Sequence, residues 1–314
     1  MDLIDEAVVI EILGVRMYAY GVYVALGALC AVATLALTSY WLRMKKGTAP
    51  LTALLSGVFG LICSRLAFCL LNQELGSLTP FHIWPQINSG GWSMFGMIGG
   101  VFLGGWISAK ILKVKTGRIL DMLSLSVLPL IAAERIGENR LDYFDISRTL
   151  DSSFLKGSFL AVGEDEIYLA TYYVAAAVAV ILFIVLLISA ARSGMNGGLT
   201  VRFLLLFGAA SIITESLRYD FFLSVSFVGL QQVAAALMLA LGVILAIRRS
   251  NRPKSVLAIA AIVSLPLMVG AVIGLEFSLD RTTWNKVLIY LLMIITVGIP
   301  AGLGMKLLSS EKEN

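Results

Sequence analysis

The sequence predicts an all-α polytopic membrane bundle of about nine transmembrane helices, on three observations. First, the 314 residues are 59% hydrophobic and only 14% charged, with mean hydropathy +0.90, whereas soluble domains carry about 25% charged residues. Second, apolar runs of roughly 20 residues, the length that crosses a ~30 Å hydrocarbon core, recur along the chain. Third, Lys and Arg cluster in every second connection between those runs, the pattern of cytoplasmic loops.

The first apolar segment covers 17–41 and opens on Tyr18, Tyr20 and Tyr23, aromatics that ordinarily anchor a helix at the membrane interface. The second, 51–71, carries Arg65 deep in "GLICSRLAFC". Snorkelling is hard at that depth, so a burial partner is expected. The third, 91–112, begins in the glycine-rich "GGWSMFGMIGG", which includes Gly96. Small residues permit close helix packing in membranes, and a dense run of them also brings backbone N–H groups up to an anionic ligand. The fourth, 119–137, opens near Asp121, an acid favoured by the dipole of a helix start. It closes in "AERIGENRLDYFDISR" (133–148), where charges crowd the end of an otherwise greasy helix.

The fifth to seventh segments are 167–191, 199–217 and 226–247. The sixth closes in "TESLRYD" (214–220), with Glu215 three residues before Arg218 and within reach of it on one helix face. The last two, 255–276 and 285–307, have almost no internal polar groups and read as an appended hairpin. The expected organisation is therefore a membrane core over 1–250 and an additional two-span region over 251–314.

The basic clusters are "RMKKG" after the first span, "KILKVKTGR" after the third, Arg192 and Arg202 around the fifth connection, and "RRSNRPK" after the seventh. They assign that side to the cytoplasm, with the N-terminus outside and the C-terminus inside. The acidic start "MDLIDEAVVIEILGVR" lacks a basic n-region, so the first span is expected to be retained rather than cleaved. Under this topology Tyr20, "GGWSMFG", Arg135 and Glu215 all fall on the outer leaflet.

Arg135 is the sharpest functional signal. Ionisable groups in spans face the bundle interior or a polar cavity, and a guanidinium fork suits a phosphodiester. The plainer alternative is an arginine that snorkels to the interface, paired with Glu134 or Glu138. Cys30, Cys63 and Cys69 lie in apolar spans and read as small core residues, not as a disulfide framework or metal site. With His82 as the single histidine, no His-based metal site or Ser-His-Asp triad is expected. Nothing in the net charge of +4 suggests a nucleic-acid partner.

The order and spacing of these motifs over about residues 12–247 resemble bacterial prolipoprotein diacylglyceryl transferases. The family's Arg-x-Gly signature, closing a helix that opens with Asp, is similar to Asp121, Arg135 and Gly137. Its glycine-rich motif resembles "GGWSMFG", its Val-Glu-Phe-Phe-Arg segment resembles "TESLRYD" with Glu215, Arg218 and Asp220, and its early Tyr-Gly resembles Tyr20-Gly21. Arg65, Tyr173 and Gln232 fall where the family has a mid-span Arg, a later Tyr and a Gln. Three positions depart: the family's His falls at Phe95, its Asn at Glu138 with Asn139 one residue on, and an Arg at Ser211.

The resemblance implies transfer of a diacylglyceryl group from phosphatidylglycerol to the lipobox cysteine of a preprotein signal peptide, at the outer face of a bacterial cell membrane. No cofactor is implied. Arg135 would clamp the phosphate, supported by Arg65, Arg218 or Arg140. Tyr20, Asn139, Gly96 and Gly137 would shape the headgroup site. With Phe95 unable to take a proton, Glu138 or Glu215 would be the base, although a neighbouring arginine favours the ionised carboxylate and opposes proton uptake. A catalytically degenerate paralogue that binds phospholipid or signal peptides is the alternative. A transporter ranks lower, because no internal repeat is evident.

Overall fold

The computed structural model describes residues 8–12, 15–71, 91–140, 146–149, 157–162, 168–218, 224–225, 228–251, 253–282 and 285–310. Nine α-helices occur among them: α1 (Ala19–Trp41), α2 (Thr48–Leu71), α3 (Met94–Leu112), α4 (Thr116–Gly137), α5 (Thr171–Ser193), α6 (Gly198–Leu217), α7 (Leu230–Arg249), α8 (Val256–Arg281) and α9 (Lys286–Ser309). Helices are the expected solution, because lipid offers no partner to backbone N–H and C=O groups. Eight of the nine are long and apolar enough to cross a membrane. The remaining one, α4, carries Arg118, Asp121, Glu134 and Arg135. Asp121 and Arg135 are buried within the protein, whereas Arg118 and Glu134 are half-buried.

Helix ends follow local chemistry. Ser93, Ser255 and Asn285 cap α3, α8 and α9 by accepting bonds from Gly96 N, Ala258 N and Val287 N. Helix α3 stops where Lys113 turns left-handed, at φ +54°.

Short antiparallel ribbons, which the sequence reading does not assign, join some of the helices. They are β1 (Val8–Ile12) with β2 (Val15–Tyr18), β3 (Ile146–Thr149) and β4 (Ala161–Val162) on either side of β5 (Tyr168–Ala170), and β6 (Ser224–Val225) with β7 (Val228–Gly229). Strands this short show no readable alternation in so apolar a sequence.

The chain divides into two compact units, Met1–Gly197 with Arg218–Leu223, and Gly198–Leu217 with Ser224–Asn314. In the first unit α2 lies along α3, α1 along α4, and α4 also meets α3 and α5. Glycines set the α2–α3 approach: a Cβ at Gly104 would stand 2.5 Å from the Leu55 carbonyl, and one at Gly100 would strike that of Phe59. Hydroxyl bonds run along the same seam, from Ser56 to the Val101 carbonyl (3.0 Å), between Thr52 and Ser108 (3.0 Å), and from Ser64 to the Ser93 carbonyl (2.8 Å). Between membrane helices of equal greasiness, such close contacts and hydrogen bonds replace the hydrophobic drive.

In the second unit, Gly208 and Gly242 bring α6 and α7 together, with Cβ positions 2.8 Å from Leu239 N and 3.0 Å from Leu205 N. Helix α9 packs on α6, α7 and α8. Ser250 and Ser310 share a 3.0 Å hydroxyl bond, and Asn251 N donates to the Ser310 carbonyl, so the C-terminal ends of α7 and α9 are tied.

Candidate functional site

The C-terminal turn of α4 and the 3-10 turn that follows it, Glu138–Arg140, gather the polar side chains of the first unit. Arg135 is 3% exposed. Its Nη1 donates to both carboxylate oxygens of Glu138, at 2.8 and 3.1 Å, and its Nε lies 3.6 Å from Glu134 Oε2. Glu134 in turn accepts from Tyr20 of α1 at 3.4 Å. The remaining guanidinium nitrogen, Nη2, donates to the thioether sulfur of Met94 at 3.3 Å. Both pairings proposed from sequence for Arg135, with Glu134 and with Glu138, are present. The Met94 contact carries no sequence signal, because only the approach of α3 to α4 creates it.

The chemistry of this arrangement follows from the unequal partners. A carboxylate is a strong charge-assisted acceptor, whereas a thioether is a weak one. Of these contacts the Met94 thioether is the weakest, so a phosphate oxygen would displace it more readily than either carboxylate.

Gly137 closes the α1–α4 contact: a Cβ there would stand 2.8 Å from Tyr23 Cβ and 3.3 Å from Tyr20 Cδ2. The close approach lets Tyr20 of α1 reach Glu134. Asn139 donates from Nδ2 to the Tyr173 hydroxyl at 2.9 Å, and its Oδ1 is enclosed with no hydrogen-bond partner among the described residues. Tyr173 meets the rings of Tyr172 and Phe159 edge-on. Arg140 is exposed.

Arg65, 2% exposed, finds the burial partner that its depth demands. Its Nη1 donates to the Gly91 carbonyl at 2.7 Å, and its guanidinium lies over the rings of Phe68 and Trp92, at 5.7 and 5.6 Å. Trp92 and Gly91 precede Ser93 and Met94, so the start of α3 touches both buried arginines. Gly96 packs: a Cβ there would meet Ala67 Cβ at 2.6 Å and the Cys63 carbonyl at 2.7 Å. Phe95 is half-buried in the first turn of α3.

Asp121 stands apart from the Arg135 cluster. Asp121 accepts from Gly197 N at 2.5 Å and is fully buried. Fourteen residues of helix rise place it about 21 Å along α4 from Arg135. Glu215 lies in the last turn of α6, in the second unit, and Arg218 follows that helix directly. His82, Asp142, Asp145 and Asp220 lie outside the described residues. Among the described residues no group of three His, Cys, Asp or Glu is placed to hold a metal ion.

A family model described as prolipoprotein diacylglyceryl transferase matches residues 7–248, which includes both buried arginines and leaves α8 and α9 outside. No curated protein matches the chain.

Proposed function

This chain belongs to the prolipoprotein diacylglyceryl transferase family and is a multi-pass bacterial membrane protein, and on that premise we propose that it transfers the diacylglyceryl group of phosphatidylglycerol to the lipobox cysteine of a preprotein. The reaction is placed at the outer leaflet, with the N-terminus outside and the C-terminus in the cytoplasm. The observation that carries this reading is the buried guanidinium of Arg135, one nitrogen of which donates to the Met94 sulfur.

In the proposed reaction the phosphodiester displaces Met94 from Nη2, and Arg135 takes the growing charge as the glyceryl carbon–oxygen bond breaks. The cysteine sulfur forms the new bond to that carbon, and its proton passes to a carboxylate. Glycerol phosphate leaves. Glu138 is the nearest carboxylate to Arg135, with Glu215 as the second candidate for the base. A free cysteine is only a few per cent thiolate at neutral pH, so such a base contributes directly to rate. Tyr20, Arg65, Gly96, Gly137, Asn139, Arg140 and Arg218 would hold the headgroup or shape its site.

Two observations favour a second reading. Arg135 already serves two carboxylates, and Phe95 stands where the family has His. Both features fit a paralogue that binds phospholipid or signal peptide without chemistry. The experiment that separates the two is a transfer assay on purified protein in phosphatidylglycerol micelles with a lipobox peptide. Arg135→Ala and a peptide without cysteine serve as controls. A mass gain on the cysteine, absent from both controls, supports the transferase. Arg135-dependent phosphatidylglycerol binding with no mass gain supports the paralogue.

A further inference from the structure

Arg43, Lys45 and Lys46 after α1, and Lys110, Lys113 and Lys115 around the end of α3, stand exposed at one end of the first unit. Arg192, in the last turn of α5, is exposed at the same end, where Asp121 of α4 accepts from Gly197 N. Asp121 is buried, and no other acid lies in residues 41–50, 104–121 or 186–197. Among the described residues no carboxylate pairs with any of these cations. Helix α4 rises about 28 Å from Thr116 to Arg135, so this end is remote from the Arg135 cluster.

Such a cluster follows the positive-inside pattern and by itself says only which way the chain sits. The backbone adds a second observation. Helices α1 and α3 end in the same motif. Met44 N donates to the Ser39 carbonyl and Arg43 N to that of Tyr40, and likewise Val114 N to Ala109 and Lys113 N to Lys110. The residue that turns left-handed in this motif is ordinarily glycine, because a Cβ there presses on the backbone. Here it is Arg43, at φ +49°, and Lys113, at φ +54°, the two non-glycine residues with positive φ among the described residues. Helix α5 ends at the same face with Gly194, at φ +70°. Side chains are thus kept at two strained positions, and both are cations.

The rings that precede the cations indicate what faces them. Tyr40 is 86% exposed, Trp41 49% and Trp106 48%, and the Lys110 ammonium lies 5.8 Å over the Trp106 ring. Amphipathic rings on the flanks of membrane helices sit at headgroup depth, so the cations just beyond them lie in the headgroup layer.

We propose that this end of the first unit is a binding surface for anionic phospholipid headgroups, anchored by Arg43 and Lys113. The headgroup is held by charge, at the end of the unit opposite Arg135, and is not consumed. The inference stands apart from the transferase reading and does not require it.

The test uses the full chain in mixed micelles with phosphatidylserine or phosphatidylcholine of the same acyl chains, and reads melting temperature against lipid fraction. Phosphatidylserine raises the melting temperature of the wild type and phosphatidylcholine does not, and the gain shrinks in high salt. Arg43→Gly and Lys113→Gly relieve the backbone. Without anionic lipid each melts at the wild-type temperature or up to about 3 °C higher. Each nonetheless needs about fivefold more phosphatidylserine for half of the gain, and the double variant about 25-fold. Arg43→Lys combined with Lys113→Arg keeps both cations and the wild-type response. Inorganic phosphate at equal ionic strength, the same chemistry free in solution, gives no gain.

A wild type indifferent to phosphatidylserine overturns the proposal, as does a gain undiminished in the double glycine variant. Glycine variants that melt lower than the wild type without anionic lipid overturn it too, and assign both cations to the helix dipoles. A gain that inorganic phosphate reproduces makes the surface a site for soluble anions instead. A phosphatidylserine response that depends on Arg43 and Lys113, in a chain with no transfer activity, sinks the transferase reading and leaves this one standing.

Discussion

One nitrogen of Arg135, Nη1, reaches both carboxylate oxygens of Glu138, at 2.8 and 3.1 Å, with both side chains buried at the end of α4. The pair sets charge against charge in a buried setting. Its consequences can be measured separately for stability, binding and transfer.

Arg135→Lys keeps the charge and loses the fork that spans Glu138, Glu134 and Met94. Transfer to a lipobox peptide is expected to fall about 100-fold, because a flexible ammonium cannot supply the fixed donors. Arg135→Ala also leaves Glu138 buried and unpaired from its main cation, at a cost of about 3–5 kcal/mol. Thermal unfolding in detergent should show a larger loss for Arg135→Ala than for the Arg135→Ala/Glu138→Ala double variant.

Glu138→Gln retains shape and an acceptor oxygen but cannot take a proton. With Glu138 as base, transfer falls by roughly 10²-fold or more while phosphatidylglycerol binding is kept or strengthened. Binding is read by lipid retention and transfer by peptide mass. Unchanged transfer would remove Glu138 from the mechanism and leave Glu215 as the carboxylate to test.

Gly137→Ala and Gly21→Ala should behave oppositely although both sit at the α1–α4 end of the first unit. A Cβ at Gly137 strikes Tyr23, whereas one at Gly21 meets nothing within 4 Å. Gly137→Ala is expected to cost about 1–3 kcal/mol. Gly21→Ala is expected to be neutral or to gain up to ~1 kcal/mol from helix propensity. Melting temperatures of the two purified variants check the contrast.

Asp121→Ala removes the acceptor of the buried Gly197 N–H. A loss of about 1–3 kcal/mol is expected from stranding that donor. Phosphatidylglycerol retention by the folded fraction should not change, since Asp121 lies far along α4 from Arg135. Reduced retention would place Asp121 in the lipid site.

By itself the sequence determined the nine helices, close to their ends, because a hydrocarbon core imposes length and apolarity on each span locally. It also singled out Arg65 and Arg135, since a guanidinium among apolar neighbours is costly enough to stand out. The same local reading could say that Arg65 needed a partner but not that the partners are the Gly91 carbonyl and the rings of Phe68 and Trp92. It treated the last two spans as nearly free of polar groups, and Glu276 passed unremarked because one carboxylate in an apolar helix shows its meaning only with its acceptor or donor in place. Met94 against Arg135, Tyr20 against Glu134 and Gln232 between Ile212 and Glu276 were decided by tertiary structure alone. Each joins residues 41 to 114 positions apart or, for Gln232, three different helices. Hydropathy acts span by span, whereas a hydrogen bond depends on which faces of two helices meet, and that is settled by the close packing at glycines such as Gly137, Gly96 and Gly208.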